Sequence, residues 1–371
     1  MKRILIIHPS ADLYGSDKII ASIASFLQVD YEVTILIPST GPLVGLLNEI
    51  APNIKISIYP DIPVVAKKYM TLTGIYRFIK LIVKFGLISK KKYSDYDLVY
   101  FNTLAVCPLM LFYKCRKINH VHETLPNNNI LHKILNRLSI AAADRIICVS
   151  DAVAKNLYSA SPNNKSIVIY NGLPTPIQPE HNNISCQRIE FALIGRIKPS
   201  VKGHYIVVDA VTKLLSKYSN FHVTFWGNTV SGQEYMIDEL TATVRSSGLN
   251  DFIAFKPFTK NINEIYKHTD VTIVPSVVPD SLPTTAIESI ARGIPVIGSD
   301  IGGIPEIIGD STEGYIFDSG DADALASAME RIICNPSILQ TMSENAVKKY
   351  KQFFSEEKFR LNILKEVSNI L

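Results

Sequence analysis

At 371 residues, 47% of them hydrophobic and 19% charged, the chain carries enough apolar material for about two packed cores and is not a disordered polypeptide. Its 38 basic and 34 acidic residues leave a formal charge of +4, too mild by itself to call for nucleic acid. The five cysteines (Cys107, Cys115, Cys148, Cys186 and Cys334) are odd in number and never form a C-x-x-C pair. That argues against a disulfide framework or a structural zinc site and fits a reducing cytoplasm.

The first predicted element is a strand. "MKRILIIHPS" sets basic residues before an apolar run, as a secretion signal would, but Ile4–Ile7 is only four residues long before His8-Pro9. Further β-rich runs follow at 32–38 (EVTILIP), 97–102 (DLVYFN), 118–122 (INHVH), 145–150 (RIICVS) and 166–172 (SIVIYNG), separated by helical stretches. The segment 173–188, "LPTPIQPEHNNISCQR", is rich in Pro and Asn and reads as a linker. The alternation then restarts at 189–195 (IEFALIG), 222–227 (HVTFWG), 251–256 (DFIAFK), 270–276 (DVTIVPS) and 294–299 (IPVIGS). Short apolar strands alternating with helices predict parallel, doubly wound sheets. The expected architecture is therefore α/β, with one Rossmann-like domain at 1–172 and a second at 189–345. The last segment, 346–371, reads as a helix packing back on the first domain.

Within the first half lies a basic, apolar strip, "KKYMTLTGIYRFIKLIVKFGLISKKK" (67–92), with Arg77, Lys80 and Lys84 three and four residues apart. Such a helix lies on membrane surfaces; a core helix with a solvated face is the other reading. No run of about eighteen apolar residues is free of charge, so a membrane-spanning helix is not expected.

Open α/β sheets bind ligands beyond the carboxyl ends of their strands, and the chemistry-bearing residues cluster there. After the strand at 189–195 comes "GRIKPSVKGH", in which Arg196 and Lys202 suit a diphosphate through charge-assisted hydrogen bonds; an ordinary basic loop would look similar. Neither a P-loop nor a G-x-G-x-x-G turn is present. After the strand at 270–276, "PDSLPTTAIESIARG" predicts a helix with Pro283 in its first turn and Gly293 as its stop. Free N–H groups at Thr284 and Thr285 would meet phosphate there. Asp280 lies outside that helix and Glu288 lies one turn along it. The pair would hold sugar and ribose hydroxyls, or else Asp280 caps the helix and Glu288 forms a surface ion pair. Gly302-Gly303, after the next strand, marks close backbone approach to a ligand or a tight turn. The pair Asp321 and Asp323 opens an amphipathic helix, where acids favour the positive end, and no cluster has metal-ligand spacing.

These motifs, "GRIKPSVKG" and "PSVVPDSLPTTAIESIARGIPVIGSDIGGIPEII", resemble family 4 of the retaining glycosyltransferases, which have the GT-B fold of two Rossmann-like domains. In the first half, "ADLYGSDK", "FNTL", "HVHE", "CVSDAVAKNL" and "VIYNGL" extend the resemblance over nearly the whole chain. It implies that Arg196 and Lys202 bind the donor diphosphate, that Thr284 and Thr285 meet the phosphates, and that Glu288 holds the ribose. Asp280 stands where the family has a longer Glu on the sugar. His122 matches the histidine facing donor sugar and phosphate, and Gly15 matches a glycine loop near the reacting centre, single here where the family has two. His120 is read as facing away from His122, in a structural role. Lys256 and Phe258 resemble the region framing the nucleobase; Asn102 and Thr103 suit either the acceptor or a turn.

The expectation is a cytoplasmic enzyme, peripheral on the inner membrane face, that moves a sugar from a nucleotide sugar to a lipid-linked glycan in cell-surface polysaccharide synthesis. Neither a metal nor another cofactor is expected, and nucleic acid is not expected as a partner. Two rivals stay open: a sugar-nucleotide epimerase of the same fold, and a non-catalytic nucleotide-sugar or glycan-binding subunit.

Overall fold

The run Ile4–Ile7 forms the end of strand β1 (Arg3–Ile7), and all four of its side chains are completely buried. This is the mark of a parallel sheet covered on both faces, whose strands need apolar residues on each side. The computed structural model describes residues 1–66, 69, 71–124, 130–159, 164–176, 188–259 and 261–371, so most of the expected linker, with Cys186, lies outside the described residues.

The described residues divide into two compact units, Met1–Gly172 with Glu357–Leu371, and Leu173–Glu356. In the first unit β2 (Glu32–Ile37), β3 (Lys55–Ile58), β4 (Leu98–Asn102), β5 (Arg116–Val121), β6 (Arg145–Cys148) and β7 (Ser166–Val168) join β1 in the order β3-β2-β1-β4-β5-β6-β7. In the second, β8 (Ile189–Ile194), β9 (Phe221–Trp226), β10 (Ile253–Lys256), β11 (Val271–Val274), β12 (Val296–Ser299) and β13 (Gly314–Phe317) run β10-β9-β8-β11-β12-β13. Every ladder is parallel, with registers such as Ile6↔Tyr100 and Thr272↔Ala192. Strand order reverses between β1 and β4 in the first sheet and between β8 and β11 in the second. At such switch points the flanking connections leave to opposite faces and open a crevice beyond the strand ends.

Each unit has its own core. Ile4, Ile6, Ile20, Ile35, Leu98 and Tyr100 belong to the first; Phe191, Val211, Phe225, Ile273 and Met329 belong to the second. The chain's end is not one helix. Ile338–Lys349 runs through a π turn, Tyr350–Phe354, and a new helix starts at Glu356. The segment that joins the first unit accordingly starts at Glu357 and not at 346. Tyr350 and Phe354 hold the preceding part to the second unit, because Tyr350 Oη donates to the Leu173 carbonyl and Leu173 N–H donates to that of Phe354. Beyond that point Phe359, Ile363 and Val367 are fully buried in the first core, with Phe359 edge-on to Phe26.

Candidate active site

In the first unit the loop after β1 leads into helix Gly15–Leu27. Asp17 closes the helix start by accepting from the Tyr14 N–H at 2.7 Å. Its other oxygen meets His8 Nε2 at 2.6 Å, with both side chains at most 1% exposed. Burial opposes the charged carboxyl, but the hydrogen bonds from His8 and the Tyr14 N–H outweigh it and hold the Asp17 pKa below its ordinary value. Asn102, the last residue of β4, is completely buried and links two imidazoles. Its Nδ2 lies 2.9 Å from His8 Nδ1, and its Oδ1 lies 2.9 Å from His122 Nε2. His122, just past β5, is half-buried, and burial above all pushes its pKa down to about 3. Gly15 is exposed, and a Cβ there would meet nothing within 4 Å, so the loop leaves open space beside the helix start.

Two expectations change here. Asn102 does not present its amide to an acceptor, since both ends are hydrogen-bonded and no surface is exposed. His120 does not face away from His122: residues two apart on a strand share a face, and the ring centroids are 4.2 Å apart. His120 is buried, meets Tyr100 Oη at 2.9 Å, and is held neutral first by burial and then by His122. Thr103 takes the turn role, with φ of 85° and its hydroxyl accepting from the Ala105 N–H. The turn is braced by Glu123, which accepts from the Leu104 and His122 N–H groups; burial nonetheless raises its pKa.

In the second unit the residues gather at the β8/β11 switch point. Arg196 is exposed just past β8, and Lys202 ends the short helix Pro199–Lys202. Gly203 turns the chain with φ of +73°, where a Cβ would sit 1.8 Å from the Pro275 carbonyl oxygen. This close approach brings the β8 loop against the β11 loop, and Lys202 Nζ meets Asp280 Oδ2 at 2.7 Å. The cation expected on diphosphate and the acid expected on sugar are thus each other's partners. Gly302 and Gly303 serve that same loop: a Cβ on either would lie 2.1 or 2.2 Å from the carbonyl oxygen of Asp280 or Ser281. Their close approach is to chain, not to ligand.

Helix Thr284–Ala291 starts one residue later than expected, with Pro283 in extended geometry at the cap, and Gly293 ends it with φ of +71°. Thr284 and Thr285 stand in the first turn, where N–H groups have no carbonyl within the helix. Glu288 accepts from Tyr266 Oη at 3.2 Å, and the Arg292 guanidinium lies 4.5 Å from the Tyr266 ring centre. At the end of β10, Lys256 stacks over Trp226 at 4.7 Å, while Phe258 is 64% exposed, with its N–H on Asn228 Oδ1. Under the β8 loop His204 is completely buried with neither ring nitrogen bonded, and burial followed by Lys202 pushes its pKa down to about 4. Asp321 caps helix Ala322–Cys334 by accepting from the N–H groups of Asp323 and Ala324.

Residues 15–175 match the profile of Glycosyltransferase Family 4, and residues 175–349 match that of Glycosyl transferases group 1. The chain belongs to glycosyltransferase family 4. A D-inositol 3-phosphate glycosyltransferase of Corynebacterium kroppenstedtii is 23% identical over 87% of this chain and 78% of its own length. One from Actinosynnema mirum is 28% identical over 56% of this chain and only 53% of its length. A lipopolysaccharide core biosynthesis mannosyltransferase, LpcC, of Rhizobium leguminosarum is 26% identical over 44% of this chain and 46% of that protein. Among solved structures, Anabaena Alr3699/HepE in complex with UDP and glucose superposes over 100% of both chains with a TM-score of 0.80 at 18% identity. The apo form of the lipopolysaccharide outer core galactosyltransferase WaaB gives 0.73 over 98% of each chain at 16% identity. The fold is therefore GT-B.

For this family 4 glycosyltransferase, residue-by-residue reading of the sequence missed His8, Asp17, Tyr266 and His204. His8 carried one available signal: it is a polar residue placed directly after a fully apolar strand, where a side chain turns from core to sheet edge. Tyr266 carried none, because its link to Glu288 crosses two separate helices. Among the described residues no group of three or more His, Cys, Asp or Glu side chains is arranged to hold a metal ion.

Proposed function

We propose that this glycosyltransferase moves a sugar, with retention of configuration, from a nucleoside diphosphate sugar to a hydroxyl of a lipid-linked glycan at the cytoplasmic face of a membrane. The observation that carries the donor assignment is the meeting of Lys202 with Asp280 at the second sheet's switch point, beside Arg196 and the first turn of helix Thr284–Ala291. Arg196, Lys202 and the Thr284 and Thr285 amides bind the diphosphate, Glu288 the ribose, Asp280 the sugar, and Lys256 and Phe258 flank the base. In the first unit, Gly15 and His122 are the residues that the family resemblance assigns to a donor sugar. The anomeric C–O bond to phosphate breaks as the acceptor oxygen bonds to the same face, and the departing diphosphate takes the acceptor's proton. Cations and helix amides carry the developing charge, so no divalent metal or other cofactor is needed. Anabaena Alr3699/HepE, solved with UDP, with UDP and glucose and with UDP-glucose, supports a nucleotide-sugar donor.

Helix Leu72–Lys92 supports the membrane assignment. Leu72, Ile75, Tyr76, Ile79, Val83 and Leu87 form one exposed apolar stripe, with Leu72 at 88% and Leu87 at 70% exposure. Arg77, Lys80, Lys84 and Lys91 flank it on one side, and a hollow of about 510 Å³ lined by Tyr69, Thr71, Arg77, Lys80 and Lys84 opens at its start. An apolar stripe beside a basic one suits an anionic bilayer surface, the apolar groups entering the acyl boundary and the cations meeting headgroups. Residues 67, 68 and 70 of this strip lie outside the described residues. No helix among the described residues is long and apolar enough to cross a membrane.

The test is a panel of nucleotide sugars with and without a lipid-linked acceptor extract, read by product mass. The reading requires nucleoside diphosphate to appear together with a longer glycan, unaffected by EDTA. Donor conversion without acceptor would make the protein an epimerase, and binding without turnover would make it a non-catalytic subunit. Sedimentation with vesicles containing anionic lipid should be lost in a Leu72→Glu, Leu87→Glu double variant.

A further inference from the structure

Four side chains of the first unit form an unbroken hydrogen-bonded line, Asp17–His8–Asn102–His122, with steps of 2.6, 2.9 and 2.9 Å. Its first three members are at most 1% exposed, so water does not compete for their bonds. A line of this kind has a direction. Asp17 is ionised and only accepts, so His8 carries a proton on Nε2. The Asn102 Nδ2 amine that faces His8 Nδ1 can only donate, so Nδ1 is the accepting nitrogen and the single His8 proton sits on Nε2. That leaves the Asn102 carbonyl oxygen for His122, where it can only accept, so His122 carries its proton on Nε2. Its Nδ1 has no hydrogen bond among the described residues and is left as a lone pair.

We infer that Asp17, acting through His8 and Asn102, is a positioning residue that holds His122 as the Nε2–H tautomer, so that Nδ1 accepts from a sugar hydroxyl and cannot donate to a phosphate oxygen. The inference rests on the glycosyltransferase reading for the identity of the ligand, but the tautomer itself follows from the line of bonds alone. The neutral state of His122 agrees with this: burial above all keeps a proton off the second nitrogen. Backbone N–H groups brace the first two members of the line, since His8 N–H donates to the Leu36 carbonyl and Tyr14 N–H to the Asp17 carboxylate. The proton positions and the direction of the Asn102 amide are what is left to change.

Asp17→Asn tests this with little change of shape. The new carbonyl keeps the Tyr14 N–H, and the new NH₂ faces His8 Nε2, which must then accept. The His8 proton moves to Nδ1, the Asn102 amide turns over, and its NH₂ faces His122 Nε2. The His122 proton is thereby displaced to Nδ1. Asn102→Asp is the control: a carboxylate there still accepts from His122 Nε2–H, so the tautomer stays. Two-bond ¹H–¹⁵N spectra of ¹⁵N-histidine-labelled protein, with the His122 signals identified by their loss in His122→Gln, read the protonated nitrogen directly. Expected are Nε2–H in the parent and in Asn102→Asp and Nδ1–H in Asp17→Asn, with transfer slowed about tenfold in Asp17→Asn and binding of UDP alone unchanged. Nδ1–H in the parent, or an unaltered His122 in Asp17→Asn, would overturn the inference. If Asp17→Asn does not fold, the parent spectrum still decides it, since Nδ1–H on His122 there overturns the inference. Absence of sugar transfer by the parent would defeat the proposed function while leaving the tautomer result standing.

Discussion

The two units place polar chemistry at the same point of the same topology and treat it in opposite ways. In the first, His8, Asp17 and Asn102 are sealed and bonded to one another, so the ring they orient has one permitted proton position. In the second, Lys202 and Asp280 pair at a partly exposed edge, with side chains 37% and 26% exposed, where the proposed diphosphate would compete with Asp280 for Lys202. A buried line costs a good deal to disturb and determines geometry, whereas an exposed pair is worth little to stability and can exchange partners. On the proposed function, the first unit holds a group still and the second grips something that arrives.

The comparison breaks most readily at His8. His8→Ala removes the partner of a buried carboxylate and leaves Asp17 with the Tyr14 N–H, which should destabilise the protein by about 3–5 kcal/mol. Urea unfolding measures this, and a loss under about 1 kcal/mol would mean that water reaches Asp17. Lys202→Ala should do the reverse. Its stability change should stay within about 1 kcal/mol. Loss of charge-assisted bonding to diphosphate, about 1.5–3 kcal/mol, slows transfer roughly ten- to hundredfold. Arg196→Ala should fall in the same range, and full activity in both variants would remove the diphosphate assignment.

How each half is written in the sequence follows from the same contrast. Buried parallel strands need apolar residues on both faces, which is why β1, β4, β8 and β11 stand out as Ile, Val, Leu and Phe runs. β3, a half-exposed edge strand reading KISI, and β13, four residues opening on Gly314, carry too little of that signal. The second unit's site is legible because its parts are contiguous: one short stretch holds Asp280, Thr284, Thr285 and Glu288, and another holds Arg196 and Lys202. The first unit's site comes from positions 8, 17, 102 and 122, which meet only because β1, β4 and β5 are neighbours in the sheet. Asn102 and His122 are visible singly; that one is bonded to the other is a property of strand order. Even the Lys202–Asp280 pair escapes a linear reading, since it depends on Gly203 letting two loops close.

Acid should act on both units through their sealed histidines. His120 and His204 are held neutral, with folded pKa values below the ordinary one, so the unfolded chain takes up the proton first. Stability is therefore intact above about pH 6.5 and falls below it, by about 1.4 kcal/mol per pH unit for each such histidine. For His204 the fall continues to about pH 4, where the folded protein also binds the proton. His204→Phe, which keeps a ring against Phe225, should flatten part of that slope; an unchanged slope would show that His204 titrates normally.

The smallest expected effect belongs to Tyr266. Its hydroxyl donates to Glu288 at 3.2 Å and adds no charge to the site, so Tyr266→Phe removes one hydrogen bond and leaves the ring under Arg292. One such bond is worth about 0.5–1.5 kcal/mol, and Glu288 without it samples more orientations toward a ribose. A ribose contact is made equally in the ground and transition states, so the loss should appear as a donor KM raised about two- to tenfold with kcat unchanged. A fall in kcat at constant KM would instead place Glu288 among groups that act only as the glycosidic bond breaks. The second unit would then do more than grip, and the division of labour between the two sheet edges would have to be redrawn.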